Sequence, residues 1–355
     1  MKINRGIVIL IVMIVVIAFF CGILPALQTT IGIPKAVSPV ITLPGEKLYG
    51  PILDFPGEVY DVYLTNTLVA TFLCYIILIL LAIVARGGVK EVPSGIANVL
   101  EFAVESLYNI AEGVVGARWA RRIFPIAATV FLLILFANWM EMIPGVDSVG
   151  LLHHAEAGEK GYPAKQLGNS NLYYLDTSVD PVVAQEHTEG ETAVEESQNE
   201  AASTRMDLSG PYIVTPFVRT ASTDINFPLG LAVVTFVAVQ VFGVMALGGH
   251  YVAKFINTPA LERGGIGIMD FGVGLLELVL EPVKMVSLTF RLLGNIFGGA
   301  VLLFVLSGLV PYLLPTGLYL YEMFVGAIQA YVFFMLTLVY ANVAMTGHGG
   351  EEEHH

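Results

Sequence analysis

The sequence predicts an all-α polytopic membrane protein of about five to six transmembrane helices, with a long tilted antiparallel helix hairpin and an interfacial amphipathic helix. Of the 355 residues, 55% are hydrophobic and only 13% are charged, whereas a soluble domain carries about 25% charged residues. Mean hydropathy is +0.74. The apolar residues form runs long enough to cross a bilayer core of about 30 Å as helices. The alternating pattern of a transmembrane β-barrel is missing.

The net charge of −13 is concentrated in residues 145–210, which hold twelve acidic and three basic residues. The remaining chain is nearly neutral. This distribution excludes a soluble globular enzyme, a nucleic-acid binder, which needs a basic face, and a disordered chain.

Cys21 and Cys74 lie inside apolar runs and are interpreted as buried residues rather than as a disulfide framework. The sequence predicts no cofactor and no metal.

Six apolar segments are long enough to span the bilayer as helices. In chain order they are Gly6–Leu24, Leu64–Ala85, Phe124–Ile143, Leu229–Gly249, a stretch from Phe271 to about Val310, and Leu318–Met345. Lys2 and Arg5 before the first segment fit either a cleaved signal peptide or a retained anchor, and the long core without a small-residue cleavage site favours the anchor. The fifth segment is about twice the spanning length, so it must tilt strongly, lie partly in the membrane plane or break.

The segment Leu100–Val115 carries three glutamates among apolar residues and is predicted to be an amphipathic helix at the membrane interface.

The orientation of the chain in the membrane follows from basic residues beside the spans, because cytoplasmic loops are enriched in lysine and arginine. Nine can lie on the cytoplasmic side together: Lys2, Arg5, Arg86, Lys90, Arg118, Arg121, Arg122, Lys254 and Arg263. The acidic segment then lies on the outer side, with the linker Pro39–Pro56 and the turn Pro311–Pro315.

This pattern divides the chain into five regions. Residues 1–63 are an N-terminal anchor or signal-like helix with an extracytoplasmic linker, and residues 64–144 hold transmembrane helices and the interfacial helix. Residues 145–210 are an acidic extracytoplasmic insertion without hydrophobic periodicity, expected to be solvated and partly disordered. Residues 211–347 hold the other transmembrane helices with the long hairpin, and residues 348–355 are a polar tail.

The fifth segment carries charged residues, which are costly inside a span and therefore indicate function. Glu277, Lys284 and Arg291 recur every seven residues, which places them on one side of a helix within about 20° per step. Ser287 and Asn295 extend that side. Structural salt bridges, Glu277 with Lys284 and Arg291 with a carboxylate of the sixth segment, explain the charge balance but not the length of the polar stripe. A water-filled ion pathway explains both.

The sixth segment carries its own polar row, Glu322 and Gln329, again seven residues apart. In an antiparallel hairpin that turns near residue 310, residues at equal depth have a constant sum. Gln329 is then level with Arg291, and Glu322 is level with Gly298. Gly294 and Gly298 form a pair of small residues that permits close approach of another helix. The sequence therefore predicts a transport pathway with polar groups on both helices of the hairpin.

Four sequence motifs indicate more specifically which kind of transport protein this is. The most specific contains Arg291, Gly294 and Asn295 in the spacing S-L-x-x-R-L-x-G-N. The motifs are EPVKMVSLTFRLLGNIFGGAVLL (Glu281–Leu303), FANWMEMIPG (Phe136–Gly145), TDINFPLGLAV (Thr223–Val233) and Q-A-Y-x-F-x-x-L-T-L-V-Y (Gln329–Tyr340). Together they resemble the a subunit of F-type ATP synthases, over roughly residues 60–145 and 211–347.

The resemblance implies a stator that carries protons through two offset half-channels beside a rotating ring of c subunits. It implies that Arg291 is the essential arginine facing the carboxylates of the ring. Asn295 and Gln329 are its implied polar neighbours. Lys284 and Ser287, on the same stripe, are expected along the proton pathway.

The resemblance also suggests residues for the two half-channels. Glu277 is expected to line the cytoplasmic half-channel, and Asp224 and Asn226 are expected near the outer one. Ala300 stands where many members of that family carry a carboxylate. Glu322, on the other helix of the hairpin, is therefore expected to take the outer-channel role.

The implied partners are the c-subunit ring, the b-subunit peripheral stalk, the other synthase subunits and the lipid bilayer, with no nucleic acid. The expected location is multi-pass in a bacterial-type plasma (inner) membrane, and the driving ion, H⁺ or Na⁺, is set largely by the ring. The chain has no phosphate-binding loop, so ATP chemistry is left to other subunits and no catalytic site of its own is predicted.

A stand-alone secondary transporter or antiporter is the alternative function, but the arginine segment has no second copy of the kind that repeated transporter halves show. A purely structural anchor leaves the polar stripe unexplained.

Overall fold

Long helices dominate this computed structural model, and within the described residues five of them are long and apolar enough to cross a membrane. They confirm the predicted polytopic all-α fold class. The structure describes residues 45–53, 62–87, 96–143, 146–156, 158–167, 172–176, 179, 181–184, 210–255, 265–309 and 313–346. The predicted first segment, Gly6–Leu24, and the tail 348–355 lie outside these ranges.

A short antiparallel hairpin precedes the first helix. Its strands are β1 (Lys47–Leu53) and β2 (Val62–Thr65), and helix α1 (Asn66–Gly87) follows β2 directly. The Thr65 hydroxyl oxygen accepts a hydrogen bond from the Leu68 N–H at 3.3 Å. This contact satisfies one of the N–H groups that a helix start leaves without an intrahelical partner.

Helix α2 (Ile96–Met140) consists of two helices joined at a kink. Gly116 at the kink has a φ of 77°, a left-handed conformation that glycine adopts without the Cβ clash of other residues. Before the kink, Leu107, Ala111 and Val115 are buried at a spacing of four, while the three glutamates of this segment are exposed. This is the amphipathic pattern that the sequence predicts. After the kink the helix enters the bundle.

The acidic insertion contains β-structure that hydrophobic periodicity did not predict. Six strands pair antiparallel, β3 with β8, β4 with β7 and β5 with β6. They are β3 (Gly150–His154), β4 (Lys160–Gly161), β5 (Ala164–Gln166), β6 (Tyr173–Leu175), β7 (Val182–Val183) and β8 (Tyr212–Pro216). Four of these strands, β4 to β7, hold only two or three residues, too few to show a period of two. The β3–β8 ladder joins the two ends of the insertion.

After β8 the chain forms a buried 3₁₀ turn, Ala221–Thr223, and then helix α3 (Asn226–Leu247). Gly248 ends α3 with a φ of 59°, and its N–H donates to the Val244 carbonyl at 2.8 Å. Glycine is the common residue at such a helix end because the left-handed conformation costs it little. The short helix α4 (His250–Phe255) follows.

The last two helices, α5 (Gly265–Leu309) and α6 (Leu313–Met345), form the predicted hairpin, and α6 also packs against α2 and α3. The predicted spans correspond to α1, the second part of α2, α3, α5 and α6. Small residues are prominent in the buried core of the bundle, where they allow close helix contact in a lipid environment. The alanines at most 1% exposed include Ala111, Ala120, Ala127, Ala137, Ala330 and Ala341.

Two glycines of α3, Gly243 and Gly230, provide a test of the packing between α3 and α4. A Cβ on Gly243 would collide with the Tyr251 ring, whereas a Cβ on Gly230 would meet no atom within 4 Å. We expect Gly243→Ala to lower the free energy of unfolding by about 1–3 kcal/mol through overpacking. Gly230→Ala should leave stability unchanged or raise it by up to about 1 kcal/mol, since alanine favours helix. Thermal unfolding in detergent measures both, and equal effects of the two substitutions would contradict the α3–α4 packing.

Candidate functional site

Arg291 lies on an exposed side of α5, within an apolar helix. Within the described part of the chain it makes no hydrogen bond and no ion pair. The only carboxylate of α6 is that of Glu322, and it does not pair with Arg291. The salt-bridge interpretation of Arg291 is therefore wrong for this conformation. A guanidinium in this position is available to a group on another molecule.

The surface around Arg291 is open and built of small or polar residues. Ser287 and Asn295, one turn to either side, are exposed. Gly294 and Gly298 are exposed too, and a Cβ on either would meet no atom within 4 Å. We call these four residues, together with Arg291, the Arg291 face. Gln329 of α6 is half-buried and makes no hydrogen bond to Arg291 in the structure.

Lys284 shares the Arg291 side of α5 by its spacing, but its side chain turns inwards. It forms an ion pair with Glu281, which is 6% exposed, and not with Glu277 as the salt-bridge alternative supposed. The Glu281 carboxylate also accepts a hydrogen bond from the Gln240 amide of α3 at 3.0 Å. Sequence reasoning missed Glu281, although its spacing of three residues from Lys284 is that of an ion pair on one helix.

The Tyr251 hydroxyl of α4 completes this group, because it donates to the Gln240 carbonyl oxygen at 2.6 Å. Burial first, and then the negative charges of Glu281 and Glu277, raise the pKa of Tyr251 to about 12. The hydroxyl therefore stays protonated near neutral pH and fixes the orientation of the Gln240 amide. Gln240, Tyr251, Glu281 and Lys284 are called the Glu281 cluster below, and Glu277 lies close enough to act on it electrostatically.

The Glu281 cluster borders a cleft between α3, α5 and α6. The Lys284 ammonium lies 5.5 Å from the centre of the Tyr340 ring, a cation–π geometry. The Thr235 hydroxyl also faces the cleft and is the one buried side-chain polar atom without a hydrogen bond in the described part of the chain. The cleft is therefore lined by polar groups from α3 and α5 and by an aromatic ring from α6.

A second polar group surrounds Asp224, which is 5% exposed. One carboxylate oxygen accepts from the Thr67 hydroxyl at 2.8 Å. The other accepts from the Asn226 backbone N–H at 3.1 Å and from its side-chain amide at 3.0 Å. Asp224, Asn226 and Thr67 are called the Asp224 cluster. Asp224 and Asn226 were both predicted to lie near the outer half-channel, whereas Thr67 was not predicted.

A hydrogen-bonded link connects the neighbourhood of Asp224 with α6. The Ser222 hydroxyl donates to the Asn138 side-chain oxygen at 2.6 Å, and the Asn138 amide donates to the Gly326 carbonyl at 3.2 Å. Glu322 lies one helical turn before Gly326. Its carboxylate fills the space that a Cβ on Gly299 would need. The hairpin geometry had placed Glu322 level with Gly298, one residue away.

The described residues hold no group of three or more His, Cys, Asp or Glu side chains arranged to bind a metal ion. The polar residues instead form three separate groups. The Arg291 face is open, the Glu281 cluster lies towards the end of α3, and the Asp224 cluster lies at its start. Gln240 follows Asn226 by fourteen positions, which is about 21 Å along a helix.

Comparison with known proteins identifies the family to which this chain belongs. A family model described as ATP synthase A chain matches residues 67–342, a range that includes all three polar groups. The chain belongs to the ATP synthase A chain family. This membership confirms the resemblance drawn from the four motifs. It assigns the chain to ATP synthesis and ion transport as an integral, multi-pass membrane protein.

Relatives named ATP synthase subunit a span most of the chain. The one from Mycobacterium bovis is 28% identical over 298 residues, covering 82% of this chain and 90% of the relative. That from Gloeobacter violaceus is 26% identical over 290 residues, with coverage of 82% and 86%. That from Moorella thermoacetica is 26% identical over 283 residues, with coverage of 80% and 92%.

The ion pair inside the Glu281 cluster gives a stability prediction. Lys284→Met leaves the buried Glu281 carboxylate without its cation, and we expect a loss of about 3–5 kcal/mol in stability. The double variant Glu281→Gln with Lys284→Met removes both charges and should recover most of that loss. Thermal unfolding in detergent compares the two. A double variant no more stable than Lys284→Met would show that the ion pair does not determine stability.

Proposed function

We propose that this chain is the proton-translocating stator subunit of the membrane sector of an F-type ATP synthase. It forms two half-channels against a rotating ring of c subunits and couples proton flow to rotation and ATP synthesis. The observation that carries the proposal is Arg291, an exposed charge in an apolar helix with no ion-pair partner in the described part of the chain. Such a charge is too costly to leave facing lipid, so it calls for a carboxylate on a neighbouring protein.

A passing carboxylate explains how Arg291 acts. A protonated carboxyl group on the ring is neutral and can face lipid, whereas an ionised one needs a counter-charge. A guanidinium is a fixed positive charge in proteins, and it favours the ionised form of a carboxylate beside it. The ring group therefore gives up its proton at Arg291. The same positive charge repels protons that would otherwise cross directly between the half-channels.

The open Arg291 face supports contact with a moving partner. Gly294 and Gly298 leave space beside the guanidinium, so a helix of the ring can approach closely. Ser287 and Asn295 supply polar neighbours on the same face. Gln329 on α6 supplies a further polar group to the site. A smooth surface with one fixed charge suits a partner that slides past rather than locks in place.

The two buried polar clusters support two separate half-channels. The Asp224 cluster, with Ser222 and Asn138 leading towards Glu322 on α6, is proposed to belong to the outer one. The Glu281 cluster, with Glu277, is proposed to line the cytoplasmic one. They lie near opposite ends of α3, and Arg291 lies ten residues beyond Glu281 on α5. A proton that enters through one cluster can then reach the other only by riding on the ring.

The proposed assembly follows from this role. The ring of c subunits faces Arg291, and the b-subunit peripheral stalk, with the other synthase subunits, holds the chain still while the ring turns. The positive-inside distribution of nine basic residues orients the acidic insertion outwards. A bacterial plasma membrane is the proposed location, since the relatives described above are bacterial.

Replacing Arg291 by alanine tests the proposal. Loss of the counter-charge should lower coupled ATP synthesis by about a hundredfold or more, while passive proton leak through the membrane sector persists or rises. Arg291→Lys should also fail, because a compact ammonium lacks the planar guanidinium fork. Synthesis and leak are measured on the same vesicles, normalised to assembled complex. Arg86→Ala, at the exposed end of α1, is the matched control, and near-normal synthesis in Arg291→Ala would refute the role.

Glu322 gives a second test. We expect Glu322→Gln to slow proton-driven ATP synthesis by about tenfold or more, since it removes a titratable group from the outer pathway. Gly299→Ala should slow synthesis as well, because its methyl group forces the Glu322 carboxylate to move. Gly272→Ala in the same helix meets no neighbouring atom and serves as control. Normal rates in both Glu322→Gln and Gly299→Ala would assign the outer pathway to other groups.

A further inference from the structure

Two threonine hydroxyls at the start of α1, those of Thr65 and Thr67, lie in line with the buried carboxylate of Asp224. The Thr65 and Thr67 hydroxyl oxygens lie 3.1 Å apart, and the Thr67 hydroxyl lies 2.8 Å from Asp224 Oδ2. Thr67 and Asp224 are buried, at 4% and 5% exposed, whereas Thr65 is half-buried at the end of β2. The three groups therefore form a line from the more accessible hydroxyl to the buried acid.

The hydrogen bonds in this line have a defined direction. The Asp224 carboxylate accepts from the Thr67 hydroxyl, so the lone pairs of Thr67 are free to accept from Thr65. The Thr65 oxygen in turn accepts from the Leu68 N–H at 3.3 Å, which leaves its own proton to point towards Thr67. The donors thus run from Thr65 to Thr67 to Asp224.

Both oxygens of the Asp224 carboxylate have defined neighbours. Asn226 occupies one of them, Oδ1, with two hydrogen bonds. Gly45 lies against the other, Oδ2, and against the Thr67 hydroxyl, since a Cβ there would lie 2.8 Å from Oδ2 and 2.4 Å from the hydroxyl oxygen. The remaining contact of Oδ2 is the Thr67 hydroxyl. No lysine or arginine of the described residues lies within ion-pairing distance of the Asp224 carboxylate.

Charged side chains do occur on the segments around this site. Helix α3 carries none, and α1 carries only Arg86, at its far end. The Glu46 carboxylate accepts from the Asn66 side-chain amide at 3.1 Å and lies 4.0 Å from the Arg219 guanidinium. Further charged residues on the neighbouring segments include Lys47 on β1, Glu141 just after α2, and Glu277, Glu281, Lys284 and Arg291 on α5. None of these makes a hydrogen bond or ion pair with Asp224.

We infer that Thr65 and Thr67 form a two-hydroxyl proton wire that loads Asp224 from the outer side of the membrane. Asp224 takes the Thr67 proton, Thr67 takes the Thr65 proton, and Thr65 takes one from a hydronium ion, which leaves as water. The carboxylate gains one proton, each hydroxyl loses one and gains one, and rotation of both hydroxyls restores their starting orientation. The inference rests on the proposed function, because it gives the outer half-channel its first two relay groups.

Valine and serine substitutions separate relay from packing. Valine keeps the shape of threonine and removes the hydroxyl, whereas serine keeps the hydroxyl and removes a methyl group. Thr71, one turn further along α1, is the matched control, since its hydroxyl donates only to the Thr67 carbonyl oxygen at 2.8 Å. The variants are Thr67→Val, Thr67→Ser, Thr65→Val, Thr65→Ser and Thr71→Val, each studied in the complete synthase in vesicles.

The measurement is proton-driven ATP synthesis as a function of outer pH, normalised to assembled complex, in water and in deuterium oxide. Thr67→Val and Thr65→Val should lose about tenfold in rate at alkaline outer pH, where proton supply is limiting, with the gap narrowing as the outer side is acidified. Their solvent isotope effect should rise. Both serine variants and Thr71→Val should stay within about twofold of the parent chain.

Two outcomes would overturn the wire. Parent-like rates in Thr67→Val at alkaline outer pH would show that Asp224 is loaded by another route. A loss of equal size at every outer pH, with an unchanged isotope effect, would assign the threonines a structural role. Arg291→Ala in the same vesicles keeps the two proposals apart, because coupled synthesis that fails there but is normal in Thr67→Val refutes only the wire.

Discussion

A charge held within an apolar bilayer needs a partner, and α5 meets this requirement in two different ways. The Lys284 ammonium finds its partner inside the chain, where the Gln240 amide donates to Glu281 and is itself oriented by the Tyr251 hydroxyl. The Arg291 guanidinium finds none among the described residues. The charge on one part of α5 is therefore balanced within the chain, and in the proposed assembly the charge on the next part is balanced by a second protein.

The helices and their order could be predicted from the sequence, because long apolar runs leave a membrane-embedded chain few alternatives. Spacing also placed Glu322 within one residue of its observed neighbour Gly299. Spacing did not identify the partner of Lys284. A seven-residue interval gives the side of the helix on which a residue starts, whereas the rotamer of a long side chain decides which neighbour it reaches. Lys284 accordingly bends towards Glu281 rather than Glu277.

Contacts between distant parts of the chain were beyond sequence reasoning for a different reason. Thr67 and Asp224 are 157 positions apart, and no periodicity links them. Asn138 and Gly326 are likewise joined only because α2 and α6 pack together. The strands β4 to β7 of the insertion hold only two or three residues each, too few to carry a pattern of their own. Each of these features depends on tertiary packing that a single sequence does not display.

The contact between α2 and α6 has a mechanical meaning for the proposed stator. In that proposal a ring that pushes against α5 and α6 would exert a reaction force, and α6 would have to transmit it without bending. Buried alanines let α2 lie close behind α6. The Trp139 indole N–H donates to the Met323 carbonyl at 3.1 Å, and Asn138 holds Gly326 one turn later. These two cross-links brace α6 against α2 close to Glu322, so the stretch of α6 that carries this carboxylate is held by a second helix as well as by its own backbone hydrogen bonds.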